Sequence, residues 1–218
     1  MNAPESLPRT IAGAVDHEIV IRKSRFLAHL EPVATIAEAD AVIASVRKRH
    51  WDARHHCVAL VVGPHGESQR SSDDGEPSGT AGVPMLTVLR RRNVSDVVAV
   101  VTRYFGGVLL GAGGLVRAYS SSVGEALDRA VIVRRAEMVE VALDVPHADA
   151  GRVDHALREW AGANGAVVEE PSYADAARFT LLVPPDSFAQ FVDVLAATSP
   201  GLTPVAGARR IVDMPAGQ

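Results

Sequence analysis

The sequence predicts an α+β chain of two domains, and three observations carry that prediction. Strand-like and helix-like periods alternate through the first 136 residues, and the remainder reads as β-α-β-β-α-β. The charge balance also changes sign between them: 17 Lys and Arg against 14 Asp and Glu up to residue 136, a net of +3, then 5 against 12, a net of −7. These make up the −4 of the whole chain, and its 218 residues allow each part a core of its own. The organisation expected is a flexible tail at 1–14, a first domain at 15–136 and a second at 137–218.

The elements follow in order. His17 to Lys23 and Ser24 to Val33 read as two short strands, the first alternating through Ile19 and Ile21. Thr35-Ile36-Ala37-Glu38 is a capping box, in which the Thr oxygen and the Glu carboxylate each satisfy an orphan amide. The helix it opens carries Ile36, Ala39, Val42, Ile43 and Val46 on one face and ends in Arg47-Lys48-Arg49, cations suited to the negative end of its dipole. Val58 to Val62 and Val97 to Val101 are unbroken apolar runs, as strands covered on both faces require. A short helix through Met85, Leu86 and Leu89 lies between them, and a longer one is expected from about Leu115 to Val131.

In the last third Val139, Val141, Leu143 and Val145 alternate as a strand, and Val153, Ala156, Leu157 and Trp160 make one helical face. Strands are expected around Ala166 to Glu170 and Arg178 to Val183. Ser187-Phe188-Ala189-Gln190 reads as a second capping box, and a last strand falls near Leu202 to Val212. This order is that of a ferredoxin-like βαββαβ domain.

Composition narrows the function. With 47% hydrophobic and 22% charged residues the chain is globular in character. Its longest apolar runs fall far short of the roughly 20 residues a membrane helix needs. MNAPESLPRT has no apolar core of signal-peptide length, and one cysteine, Cys57, allows no intramolecular disulfide. A cytoplasmic location is expected, with no membrane partner.

Two segments break the ordinary pattern. Ser71 to Gly82 packs three glycines, three serines, a threonine and three carboxylates into a dozen residues. It reads as a loop, with three roles open: amides and hydroxyls cradling an anion, a Mg²⁺ site from Asp73, Asp74 and Glu76, or a solvated turn. Thr102 to Ser120 runs from a buried strand through glycines into a helix. Its amides favour an anion, Arg103 and Arg117 could add charge-assisted bonds, and close packing at Gly113 and Gly114 is the alternative. It is neither a dinucleotide fingerprint nor a P-loop. His55-His56-Cys57 invites a metal reading, but neighbouring strand residues face opposite ways, so no zinc site is expected there. Cys57 reads as a small buried hydrophobe and His29 as structural.

Four blocks together resemble the YigZ/IMPACT family: Lys23 to Phe26, Asp52 to Cys57, Ser71 to Gly82, and Thr102 to Ser120. The resemblance implies a first domain like domain 2 of ribosomal protein S5 and a second like the C-terminal domain of elongation factor G. It also implies a regulatory role linked to translation, since the eukaryotic relatives are translational regulators. The chain departs from the family pattern at Val83 and Leu109, where many relatives carry a cation, and at Val58-Ala59-Leu60, where an aromatic is common.

The leading expectation is a binding protein that meets RNA, the ribosome or another phosphate-rich partner through its glycine loops, with no catalytic residue, cofactor or metal. The candidate contact residues are Arg54, His55 and His56; Ser71, Ser72, Asp73, Asp74, Gly75, Glu76, Ser78, Gly79 and Thr80; and Arg103, Tyr104, Phe105, Gly106, Gly107, Gly111, Gly113, Gly114 and Arg117. One alternative is a metal-dependent enzyme acting on a small phosphorylated or acyl substrate, with His55 or His56 as general base. Another is docking of a protein partner on the acidic second domain.

Overall fold

The computed structural model describes residues 7–214. The chain divides into two compact units, Met1–Arg134 and Arg135–Gln218. Of the expected tail, residues 1–6 lie outside the described residues. Thr10 and Ile11 do not behave as a tail: they form a short strand, β1 (Thr10–Ile11), paired with Ile132 and Val133, and Ile11 is buried in the core. A two-residue strand carries too little periodicity to be seen in sequence.

The first unit continues with β2 (Val15–Ile21), β3 (Ser24–Pro32), α1 (Ile36–Arg49), β4 (His55–Val62), β5 (Ser68–Ser72), α2 (Gly82–Arg91), β6 (Val97–Tyr104) and α3 (Ala112–Arg129). Its sheet has the order β2-β3-β6-β4-β5, with every neighbour antiparallel. The apolar runs in β4 and β6 have the expected cause. On one face Cys57, Ala59, Val61, Val97, Ala99 and Val101 join Met85 and Leu89 of α2 and Leu115, Tyr119 and Val123 of α3. On the other, Val58, Leu60, Val98 and Val100 meet Ala39 and Val46 of α1.

Local chemistry explains how these elements begin and end. Thr35 Oγ1 accepts from the Glu38 amide at 3.1 Å, and Glu38 Oε2 accepts from the Ala34 amide at 2.7 Å, which is the expected capping box reaching one residue further back. The β2–β3 hairpin closes on Arg22 and Lys23, both at positive φ (45° and 67°). A two-residue turn of this hand matches the twist of the strands, although glycine or asparagine is its usual occupant. Ser71 and Ser72, expected in a loop, are the end of β5, where they pair with Ala59 and Val58. Pairing to the buried β4 orders a polar segment that has no strand signal of its own.

The second unit holds β7 (Ile132–Val145, beginning in the first unit), α4 (Ala150–Asn164), β8 (Val167–Val168), β9 (Ser172–Tyr173), β10 (Ala177–Val183), α5 (Phe188–Thr198) and β11 (Val205–Met214). Its sheet runs β11-β7-β10-β8, with β9 also on β10, which is the ferredoxin-like order. Val141, Leu143, Phe179 and Leu181 pack against Val153 and Leu157 of α4 and Phe191 and Leu195 of α5. The second capping box does not form. Ser187 makes no side-chain cap bond, and a 3-10 turn at Pro185–Ser187 leads into α5 instead. The two prolines at 184 and 185 preset that turn.

Candidate functional site

Antiparallel pairing brings the polar blocks to one end of the first sheet. β3 and β4 start there, and β5 and β6 finish there; Arg103 stands opposite both Phe26 and His55, and Tyr104 opposite Arg25. Segments about 80 residues apart thus share one surface.

At its centre lies a buried ion pair. Arg103 Nη1 donates to Glu76 Oε1 at 2.7 Å, with side-chain exposures of 7% and 4%. The Tyr119 hydroxyl donates to the same oxygen at 2.8 Å, and the guanidinium lies over the rings of Phe26 and Phe105 at 5.3 and 5.6 Å. Arg103 and Glu76 were both expected as ligand contacts. Their burial and mutual pairing correct that: they tie the loop after β5 to β6 and α3. Burial drives the Tyr119 hydroxyl far above its ordinary pKa, so it stays a donor.

Asp73 fills the anion cradle that its own loop builds. Its carboxylate accepts from the amides of Gly79 at 2.7 Å, Ala81 at 3.0 Å and Gly82 at 2.8 Å, the last two opening α2. Burial alone would raise Asp73, but these three amide bonds outweigh it and hold the carboxyl below its usual range. Asp74 is committed as well: Oδ1 accepts from Arg47 Nη2 and Oδ2 from the His56 amide, each at 2.7 Å. The three carboxylates therefore serve three different sets of protein donors, which corrects the Mg²⁺ reading of this segment. Among the described residues no cluster of His, Cys, Asp and Glu could hold a metal ion.

The histidines also diverge. His55 Nδ1 donates to the Asp74 carbonyl at 2.9 Å, with Gly75 packed on its ring, while buried His56 donates from Nε2 to the His50 carbonyl at 3.0 Å. His55 steadies the loop and His56 the turn after α1, and neither is poised as a base beside a metal. Cys57 Sγ donates to the Asp73 carbonyl at 3.0 Å, and burial pushes its thiol up to about 12. Ser72 Oγ accepts from the Asp74 amide and Thr80 Oγ1 donates to the Pro77 carbonyl; Ser71 is half-buried, and Ser78 and Gly79 are exposed.

The loop after β6 is different. Phe105, Gly107, Val108 and Leu109 are exposed, and α3 begins at Gly111 (φ 71°) with no side-chain cap. Gly113 and Gly114 lie in its first turn; a Cβ at Gly113 would face open space, and one at Gly114 would meet Leu110 Cβ at 3.0 Å rather than a strand, so neither shows the close helix–strand packing held open as the alternative. The close backbone approach is at Gly106 in the loop, where a Cβ would overlap the Lys23 carbonyl group of the β2–β3 hairpin. Arg117 lies in the second turn of α3, and among the described residues its side chain has no ion-pair or hydrogen-bond partner; the same holds of the side chains of Arg54 and of the hairpin cation Lys23. Tyr104 donates to Asp52 Oδ1 at 2.9 Å and lies under the Arg25 guanidinium.

The candidate contact residues left out Lys23 and Asp52, and also Tyr119 and Ser24, which are fully buried beneath this surface. All four fall within the blocks that carry the family resemblance, which was the usable signal; their roles depend on pairing partners distant in the chain.

The first unit matches the family model for the Impact N-terminal domain over residues 22–127, and the second matches a domain of unknown function, DUF1949, over residues 143–201. The IMPACT family member YvyE of Bacillus subtilis (strain 168) is 50% identical over 150 residues, 69% of each chain. The chain belongs to the IMPACT family. Another relative, the IMPACT family member YigZ of Escherichia coli (strain K12), is 49% identical over 125 residues, which are 56% of this chain and 61% of that one. A solved structure described as the crystal structure of an hypothetical protein has a TM-score of 0.60 at 35% identity, covering 94% of this IMPACT-family chain and 98% of its own. Among the described residues no helix is long and apolar enough to cross a membrane.

Proposed function

We propose that this IMPACT-family protein is a cytoplasmic, translation-associated regulator without catalytic activity. Its first unit binds RNA, the ribosome or another phosphate-rich partner at the sheet end described above. The observation that carries this reading is the contrast between the two glycine loops. Asp73 closes the N-terminus of α2, whereas α3 opens on exposed, uncapped amides, with an unpaired Arg117 in its second turn. An uncapped N-terminus of an 18-residue helix attracts phosphate through its amides and its dipole. Exposed Phe105 offers a stacking face, and Lys23 and Arg54 offer charge. Arg103 is a strut of this surface rather than a contact.

Co-sedimentation with ribosomes at low and moderate salt tests the reading, with Arg54→Ala/Arg117→Ala beside the parent. The parent should bind with a steep salt dependence, and the double variant should lose about one unit of logarithmic slope for each phosphate contact removed. Unchanged binding and slope in the variant would sink it. A second contact is favoured by one observation: Arg152, Arg158, Arg178, Arg209 and Arg210 of the second unit are each already paired to a carboxylate. The surplus acids leave a surface suited to a basic protein partner.

A further inference from the structure

The end of α1 and the turn that follows it carry a cation, Lys48, and an exposed aromatic, Trp51, that the proposed contact surface does not use, next to Arg54, which it does. Trp51 is 82% exposed, an unusual position for the largest apolar side chain. Its neighbours in the turn are fixed: His50 Nδ1 lies 3.3 Å from the Tyr104 hydroxyl, which donates to Asp52 Oδ1 at 2.9 Å. Trp51 is thus held out on a braced turn beside the end of β6. Lys48, one turn earlier, and Arg54, three residues later, are both exposed and have no ion-pair or hydrogen-bond partner among the described residues. On the α1 side of the sheet, a cleft of about 410 Å³ opens next to the turn, lined in part by His29, Arg49, His50 and Thr102.

An exposed indole on a braced turn, with unpaired cations close by in the chain, is matched by a ligand that alternates planar rings with negative charge. A basic peptide is repelled by the cations, and an acidic peptide has no use for the ring face. A duplex keeps its bases stacked on each other. We propose that Trp51, with Lys48 and Arg54, is a stacking platform for an unpaired base of single-stranded RNA. This extends the RNA-binding reading above and rests on it. Base–aromatic stacking tolerates any base, since each has a π-face, while the cations track the backbone.

The test uses the full chain carrying Trp160→Phe, so that Trp51 is the sole indole of the two tryptophans. A short oligouridine strand and a blunt RNA duplex of similar length are titrated while indole fluorescence is followed. Quenching by the single strand is expected, with far weaker response to the duplex. Trp51→Ala, in the otherwise native chain, should weaken single-strand binding roughly tenfold while leaving its salt slope in place. Lys48→Ala/Arg54→Ala should flatten that slope. Absent quenching, unchanged affinity in Trp51→Ala, or equal quenching by the duplex would each overturn the platform. If the parent still binds ribosomes and loses them in Arg54→Ala/Arg117→Ala, the broader reading survives that failure. A parent that binds neither ribosomes nor RNA brings down both.

Discussion

Arg103 and Glu76 form a buried ion pair, Nη1 to Oε1 at 2.7 Å, that joins the end of β6 to the loop after β5. Two charges withdrawn from water depend on each other, because neither has solvent to fall back on. Arg103 Nε is itself buried without a hydrogen-bond partner, so the pair is held with one donor unmet.

Removing one partner is accordingly worse than removing both. Arg103→Ala or Glu76→Ala should lower the free energy of unfolding by about 3–5 kcal/mol in urea titrations. Arg103→Met with Glu76→Leu should recover a large part of that loss, since apolar replacements strand no charge. Additive losses in the double variant would show that the two residues do not act as a pair.

Asp73 makes stability depend on acid. Its folded pKa lies below the ordinary 3.8, so its contribution is complete above that value and is lost as pH falls through the depressed one. Asp73→Asn keeps an oxygen for Ala81 and Gly82 but sets an amide donor against the Gly79 N–H. A cost of about 1–2 kcal/mol at pH 7 is expected, as for a lost helix cap. The gap between variant and parent should begin to close below roughly pH 4, the ordinary carboxylate range, and vanish as pH falls through the depressed value. Thermal melts across that range would show it, and a gap independent of pH would contradict it.

Glycines in the loop after β6 should respond unequally to alanine. At Gly106 the new Cβ meets the Lys23 backbone, which cannot swing aside as a side chain can, and a loss above about 2 kcal/mol is expected. Gly113 sits in helix with open space beside it, so alanine there should gain about 0.5–1 kcal/mol. Equal effects at the two positions in chemical denaturation would refute this account.

Cys57 should behave as a buried hydrophobe. With its thiol pushed up to about 12 by burial, alkylation by iodoacetamide at pH 8 should be negligible in the folded chain and rapid in urea. Rapid labelling of the native protein would mean that the loop over it opens readily.

Periodicity exposed the architecture because burial demands it. The unbroken runs at 58–62 and 97–101 announced strands covered on both faces, and α1 and the α2/α3 pair are their covers. The alternation of Val139 to Val145 and the helical face of Val153, Leu157 and Trp160 marked the ferredoxin-like unit in the same way. The second capping box failed because Ser-x-x-Gln records only a compatible composition, and the prolines before it favoured another turn.

The sequence by itself determined the two-domain α+β fold, the family and the four blocks that make the surface, since each rests on patterns within a few residues of one another. Only the tertiary structure decided what those residues do. Glu76 and Arg103 are 27 positions apart, and nothing local shows that they neutralise each other in the interior. Asp73 fills its own loop's cradle while the start of α3 stays open, a difference set by which carboxylate the fold delivers to which helix end. Charge and hydrogen bonding act through space, and spatial neighbours are what the chain order leaves unstated.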